Sequence, residues 1–204
     1  MVFEETGKPD NKQQGIVVIA SSTGGPAVLH TVLPAFPESF PFPIVVVQHM
    51  WPGFTGQLAG KLNEQCPFAV GEAADKEILL PGKVYLAPAR KHIRIKKLPA
   101  KHHQFVLSDE EPKRGIKPCA DYLLESLSVS AYENIVVVVL TGMGRDASEG
   151  IEKLSQNKEI RVVVQDEESS VVYGMPGSVR DQIKDCLVLP PDKMAGEIMK
   201  LMEV

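Results

Sequence analysis

The stretch NIVVVVLTG at 134–142 constrains the fold more than any other part of the chain. Side chains alternate between the two faces of a strand, so an unbroken Ile/Val run is apolar on both faces. Such a strand needs cover above and below, the situation of a parallel sheet between two layers of helices. Shorter runs of the same kind occur as GIVVIA at 15–20, IVVVQ at 44–48 and IRVVVQ at 160–165.

Helical periodicity fills the intervals. Val28, Leu29, Val32, Leu33 and Phe36 recur at spacings of three and four, and the proline-rich PESFPFP is expected to end that helix. Further helices are expected over 55–65, over 119–131 behind Pro118, near 146–157, between 165 and 186, and over 192–203, with a short strand in CLVLP at 186–190. From Phe68 to Asp109 the pattern changes. FAVGEA, KVYLAP, HIRIK and QFVLSD read as strands without helices between them, an antiparallel insertion or a set of edge strands. Alternating strands and helices imply an α/β fold, a mostly parallel sheet covered on both faces. The 204 residues suit one such domain, expected over 15–204 behind a polar tail at 1–14.

Composition narrows the function classes. A net charge of −4 gives no general basic face for nucleic acid. The cluster Arg90, Lys91, Arg94, Lys96 and Lys97 alternates with apolar residues and reads as a solvated strand face. No apolar run approaches the roughly 18–20 residues of a membrane span, and the N-terminus lacks the apolar core of a signal peptide, so a cytoplasmic protein without membrane insertion is expected. Cys66, Cys119 and Cys186 form no C-x-x-C and have no metal-site spacing; reduced, mostly buried thiols are expected.

In open parallel sheets, ligands bind outside the carboxyl ends of the strands. The residues there are Ser21 and Ser22, Gln48 and His49, Thr141 to Asp146, and Gln165 and Asp166. A serine hydroxyl needs a base within hydrogen-bond reach, and imidazole oriented by a carboxylate serves that role. Of the five histidines, only His49 ends a buried strand. His30 falls inside a helix pattern, His92 beside the basic strand, and His102 and His103 in the polar turn KLPAKHHQ, where both are expected to be solvated. Asp146, after the glycine-rich LTGMGR, is favoured over Asp166, which opens the acidic run DEESS. Gly142, Gly144 and Ala147 also spell G-x-G-x-x-A, with Asp166 about twenty residues on, as in a dinucleotide-binding fingerprint. Asp146 would then sit where a pyrophosphate belongs, which argues against that reading.

The stretches IASSTGGP, VVVQHMWPGFT, VYLAPARKHIRI, VVVLTGMGRDASEG and VVVQDEESSVVYGMPGSV, in this order, span roughly 15 to 190. Together they resemble the chemotaxis protein-glutamate methylesterase (CheB) family, specifically its catalytic domain without the receiver domain. The resemblance implies a doubly wound parallel sheet with an antiparallel hairpin insertion and a Ser-His-Asp triad carried onto Ser22, His49 and Asp146. It implies an oxyanion site from backbone N–H groups near Thr23 and Met143, and no metal or organic cofactor. The implied reaction is hydrolysis of glutamate γ-methyl esters on the cytoplasmic helices of chemoreceptors, releasing methanol, with deamidation of receptor glutamines in some members. The alternative is a catalytically weak domain that only binds a receptor or signalling partner.

The chain departs from the family's pattern at Ala20, Ser21, Cys119 and Ala147. With about fourteen residues before the first strand, no attached receiver domain is expected, and a separate receiver or regulatory protein is a partner the resemblance allows. Within the first motif, Ala20-x-Ser22-x-Gly24 has the small-x-Ser-x-Gly spacing of a strained strand-to-helix turn, which favours Ser22 over Ser21 as nucleophile.

Overall fold

The computed structural model describes residues 14–204, so the expected tail lies outside the described residues except for Gln14. A sheet of seven parallel strands forms the centre, in the order β3-β4-β2-β1-β7-β8-β9. The inner strands β1 (Gly15–Ser21), β2 (Ile44–Gln48) and β7 (Asn134–Val139) are the Val/Ile runs, and all their apolar side chains are buried. β8 (Ile160–Gln165) and β9 (Leu187–Leu189) extend the sheet on one side, β4 (Lys83–Leu86) and β3 (Ala69–Glu72) on the other.

Helices cover both faces, as the doubly apolar strands require. Val17, Ile19, Val46, Val136 and Val138 face a core closed by α1 (Gly25–Val32), α2 (Phe54–Gln65) and α6 (Pro191–Leu201). The alternate residues Val18, Ala20, Val47, Val137 and Val139 face a second core under α3 (Ala120–Leu127), α4 (Ser148–Ser155) and α5 (Gly174–Gln182). The antiparallel hairpin β5 (His92–Lys97)–β6 (His103–Ser108) is a separate two-stranded sheet packed on α3. The fold is therefore the doubly wound parallel sheet with a hairpin insertion. Among the described residues, no helix is long and apolar enough to cross a membrane.

Three local expectations are corrected. Only the second half of the segment 68–109 is antiparallel; β3 and β4 join the main parallel sheet through a short connection without a helix. The first α-helix ends at Val32, before PESFPFP, because the turn Leu33–Ala35 tightens to a 3₁₀ form around Pro34. His103 is buried: its ring stacks on Tyr132 at 4.0 Å, its Nε2 accepts the Ala131 N–H at 3.0 Å, and burial lowers its pKa to about 4. His102 is exposed, as expected. Of the thiols, Cys119 alone is fully buried, and Cys66 and Cys186 are half-buried.

Candidate active site

Strand order reverses at β1: the chain runs first to β2 on one side, and later returns to β7 on the other. The loops leaving the carboxyl ends of these three strands therefore diverge around one crevice. They carry Ser21–Gly25, His49–Gly53 and Thr141–Ala147.

The two adjacent serines have different surroundings. Ser21, the last residue of β1, is fully buried, and its Oγ donates to Gln48 Oε1 at 2.7 Å. Ser22 is part-exposed and lines a cleft of about 370 Å³ together with Thr23, His49, Met50, Trp51 and Phe54. Its backbone is fixed from three directions: its N–H donates to Thr141 O at 3.0 Å, and its carbonyl accepts the Gly25 N–H at 2.9 Å and Gln48 Nε2 at 2.9 Å. Gln48 Nε2 also donates to the His49 carbonyl at 2.9 Å, so one buried amide ties both loops together.

The turn needs its glycines. Gly24 has φ +84°, and a Cβ on Gly25 would run into the Gln48 amide oxygen and the Ser21 side chain. A Cβ on Gly142 would stand 2.5 Å from Met175 Sδ and 2.8 Å from Ser22 Cβ. The methionine can swing away, but Ser22 Cβ moves only with its backbone. Gly142→Ala is therefore expected to cost about 1–3 kcal/mol in stability and roughly a hundredfold in turnover, since a shift near 1 Å suffices for that. Thermal melts and initial rates measured together would check both.

His49 Nε2 lies 2.7 Å from Asp146 Oδ2, across 97 residues of sequence. With Nε2 occupied by the carboxylate, Nδ1 is the ring nitrogen left for a second partner. Asp146 is 1% exposed and faces donors on every side. The Ala120 N–H reaches it at 2.7 Å, the Asp121 N–H at 3.2 Å, the Ala147 N–H at 2.9 Å and the Cys119 thiol at 3.0 Å. Two of these N–H groups open α3, so the positive end of that helix adds to the stabilisation of the anion. Burial alone would raise the carboxyl pKa, but the His49 hydrogen bond and charge, the thiol and the Ala120 N–H outweigh it and hold Asp146 at about 2.

Ala147 follows with φ 78°, which costs a non-glycine residue about 1–2 kcal/mol. Below it, Asp121 is also buried and is held by Arg114, by Lys113 at 3.1 Å and by the Gly150 N–H at 2.8 Å. The Cys119 sulfur and the Asp121 and Asp146 carboxylates come within 4.8 Å of one another. Their lone pairs are taken up by these donors and His49.

The dinucleotide fingerprint has no room here. The buried Asp146 carboxylate occupies the turn that would cradle a pyrophosphate, and Gly142 packs against Ser22. Asp166 does not line the Ser22 cleft and closes a loop turn onto the Ser169 N–H at 3.1 Å. Neither the Thr23 nor the Met143 N–H has a hydrogen-bond acceptor among the described residues. Sequence spacing places Gln48 at a strand end but carries no signal for its tie between the two loops or for the Cys119 bond to Asp146.

The family described as CheB methylesterase matches residues 17–198. The chain belongs to it. CheB relatives include the protein-glutamate methylesterase/protein-glutamine glutaminase of Halalkalibacterium halodurans, 42% identical over 176 residues, which are 86% of this chain and 50% of that protein. The protein of the same name from Thermotoga maritima is 39% identical over 186 residues, 91% of this chain and 54% of the relative. The chain thus spans about half the length of the curated relatives it matches. The crystal structure of the Thermotoga maritima CheB methylesterase catalytic domain superimposes with a TM-score of 0.85 at 39% identity, covering 92% of this chain and 97% of that one.

Proposed function

We propose that this CheB-family domain hydrolyses glutamate γ-methyl esters on chemoreceptors, with Ser22 as nucleophile, His49 as general base and Asp146 as the carboxylate that orients His49. The observation that carries the reading is a part-exposed serine and a histidine in one cleft, the histidine held at 2.7 Å by a buried, ionised aspartate. Ser22 Oγ attacks the ester carbonyl while His49 Nδ1 takes its proton. Asp146 keeps the other ring nitrogen protonated and stabilises the imidazolium. The N–H groups of Thr23 and Met143, free of other acceptors, receive the negative charge that develops on the carbonyl oxygen. His49 returns the proton to the departing methoxide, and water then releases glutamate from Ser22 by the same steps.

A polypeptide substrate suits the rim. Trp51, 79% exposed, and Phe54, 51% exposed, both line the cleft and set large apolar side chains in solvent beside Ser22. The names of the relatives also speak of glutamine deamidation, and the same acyl transfer with an amide leaving group would serve it. The test is methanol release from methyl-esterified chemoreceptor, followed by gas chromatography. Release well above a receptor-only control supports the reading. Receptor binding without release supports the alternative of a binding domain.

A further inference from the structure

The cleft continues past His49. A second depression of about 360 Å³ shares His49, Met50 and Trp51 with the Ser22 cleft and is walled on its far side by Arg90, Ile116 and Lys117. Arg90 lies in the turn between β4 and β5, and Lys117 in the segment that leads into α3.

The neighbouring cations are already committed. Lys91 pairs with Asp109, Arg94 with Glu110, and Lys113 and Arg114 with Asp121 and Glu149. Arg90 and Lys117 form no salt bridge among the described residues, and no carboxylate there lines either depression. In a chain of net charge −4, two uncommitted cations beside the reactive centre form a local field opposite in sign to the whole. Trp51 offers the aliphatic stem of an acidic side chain an apolar face next to those cations.

We propose that the groove walled by Arg90, Lys117 and Trp51 binds acidic side chains flanking the scissile ester, so that the domain selects glutamyl esters embedded in glutamate-rich polypeptide. The proposal rests on the esterase reading of the adjoining cleft. It adds a recognition element and a substrate property: carboxylates near the ester strengthen binding.

Two fluorescent peptides test it, differing only at positions three and four residues on either side of a glutamyl γ-methyl ester, glutamate in one and glutamine in the other. Binding is read by anisotropy in the Ser22→Ala chain, where turnover does not interfere. The glutamate-flanked peptide is expected to bind about threefold to tenfold more tightly at low salt, with the advantage fading as salt rises toward about 0.5 M. Arg90→Gln combined with Lys117→Gln brings the ratio to about one, and Arg90→Glu combined with Lys117→Glu reverses it in favour of the glutamine-flanked peptide. Lys193→Gln with Lys200→Gln, on α6, keeps it. Equal affinity for both peptides, or a preference that survives the double substitution, overturns the proposal. Absence of methanol release by the unmodified chain, with the binding preference intact, overturns the esterase reading alone.

Discussion

Ser22→Ala is expected to lower methanol release by about four orders of magnitude or more while leaving the melting temperature close to that of the unmodified chain. The side chain lost is small, part-exposed and without a hydrogen bond to any described residue, so little folding energy depends on it. Ser21→Ala is expected to do nearly the reverse. It leaves the buried Gln48 Oε1 without its 2.7 Å donor, at a cost of about 1–3 kcal/mol, and reduces turnover only as far as Gln48 loosens the Ser22 and His49 loops. Paired measurement of rate and thermal stability separates the two serines, which sequence spacing alone distinguishes only weakly.

Asp146→Asn carries the second large effect. Every hydrogen-bond partner of the carboxylate is a donor: three backbone N–H groups, the Cys119 thiol and His49 Nε2. An amide in the same place must turn its own N–H₂ toward one of them. Turnover is expected to fall by about three to four orders of magnitude, because His49 loses the partner that sets its tautomer, and stability by about 1–3 kcal/mol.

The pH dependence of stability follows from the same site. The folded-state pKa of about 2 lies below the ordinary Asp value of about 3.9. The ionised carboxylate therefore stabilises the fold fully above about pH 4, and this contribution, about 2 kcal/mol, is lost as pH falls through 2. In Asp146→Asn that part of the acid sensitivity disappears, which acid titrations monitored by circular dichroism would detect.

Much of this architecture is legible in short apolar runs. β2 and β8 coincide with IVVVQ and IRVVVQ because the stretch of a strand that is buried on both faces, Ile44–Val47 and Val162–Val164, is apolar at consecutive positions. His49 and Asp146 were reachable by the same logic, since strand ends in an open parallel sheet converge on one crevice. The Ser-His-Asp assignment came from the family resemblance, and the 2.7 Å contact joins two residues far apart in sequence. What the sequence hid depends on nonlocal contact. KLPAKHHQ is polar, yet His103 is buried because Tyr132 and the Ala131 N–H meet it from the far end of α3. β3 and β4 lack the helical crossover that usually marks parallel neighbours, so they looked like part of the hairpin region. Cys119 reads in the sequence as an ordinary core thiol. Its bond to Asp146 depends on a segment that packs against the β7–α4 loop.

The central claim is that Ser22, and not its neighbour, makes the covalent bond. It is tested most directly by reacting the folded chain with a fluorophosphonate, whose phosphorus traps an activated serine oxygen with loss of fluoride, and mapping the adduct by peptide mass spectrometry. A single adduct on Ser22, absent in His49→Ala and in Ser22→Ala, is the expected result. An adduct on Ser21, or labelling of Ser22 that is equally fast without His49, would contradict it.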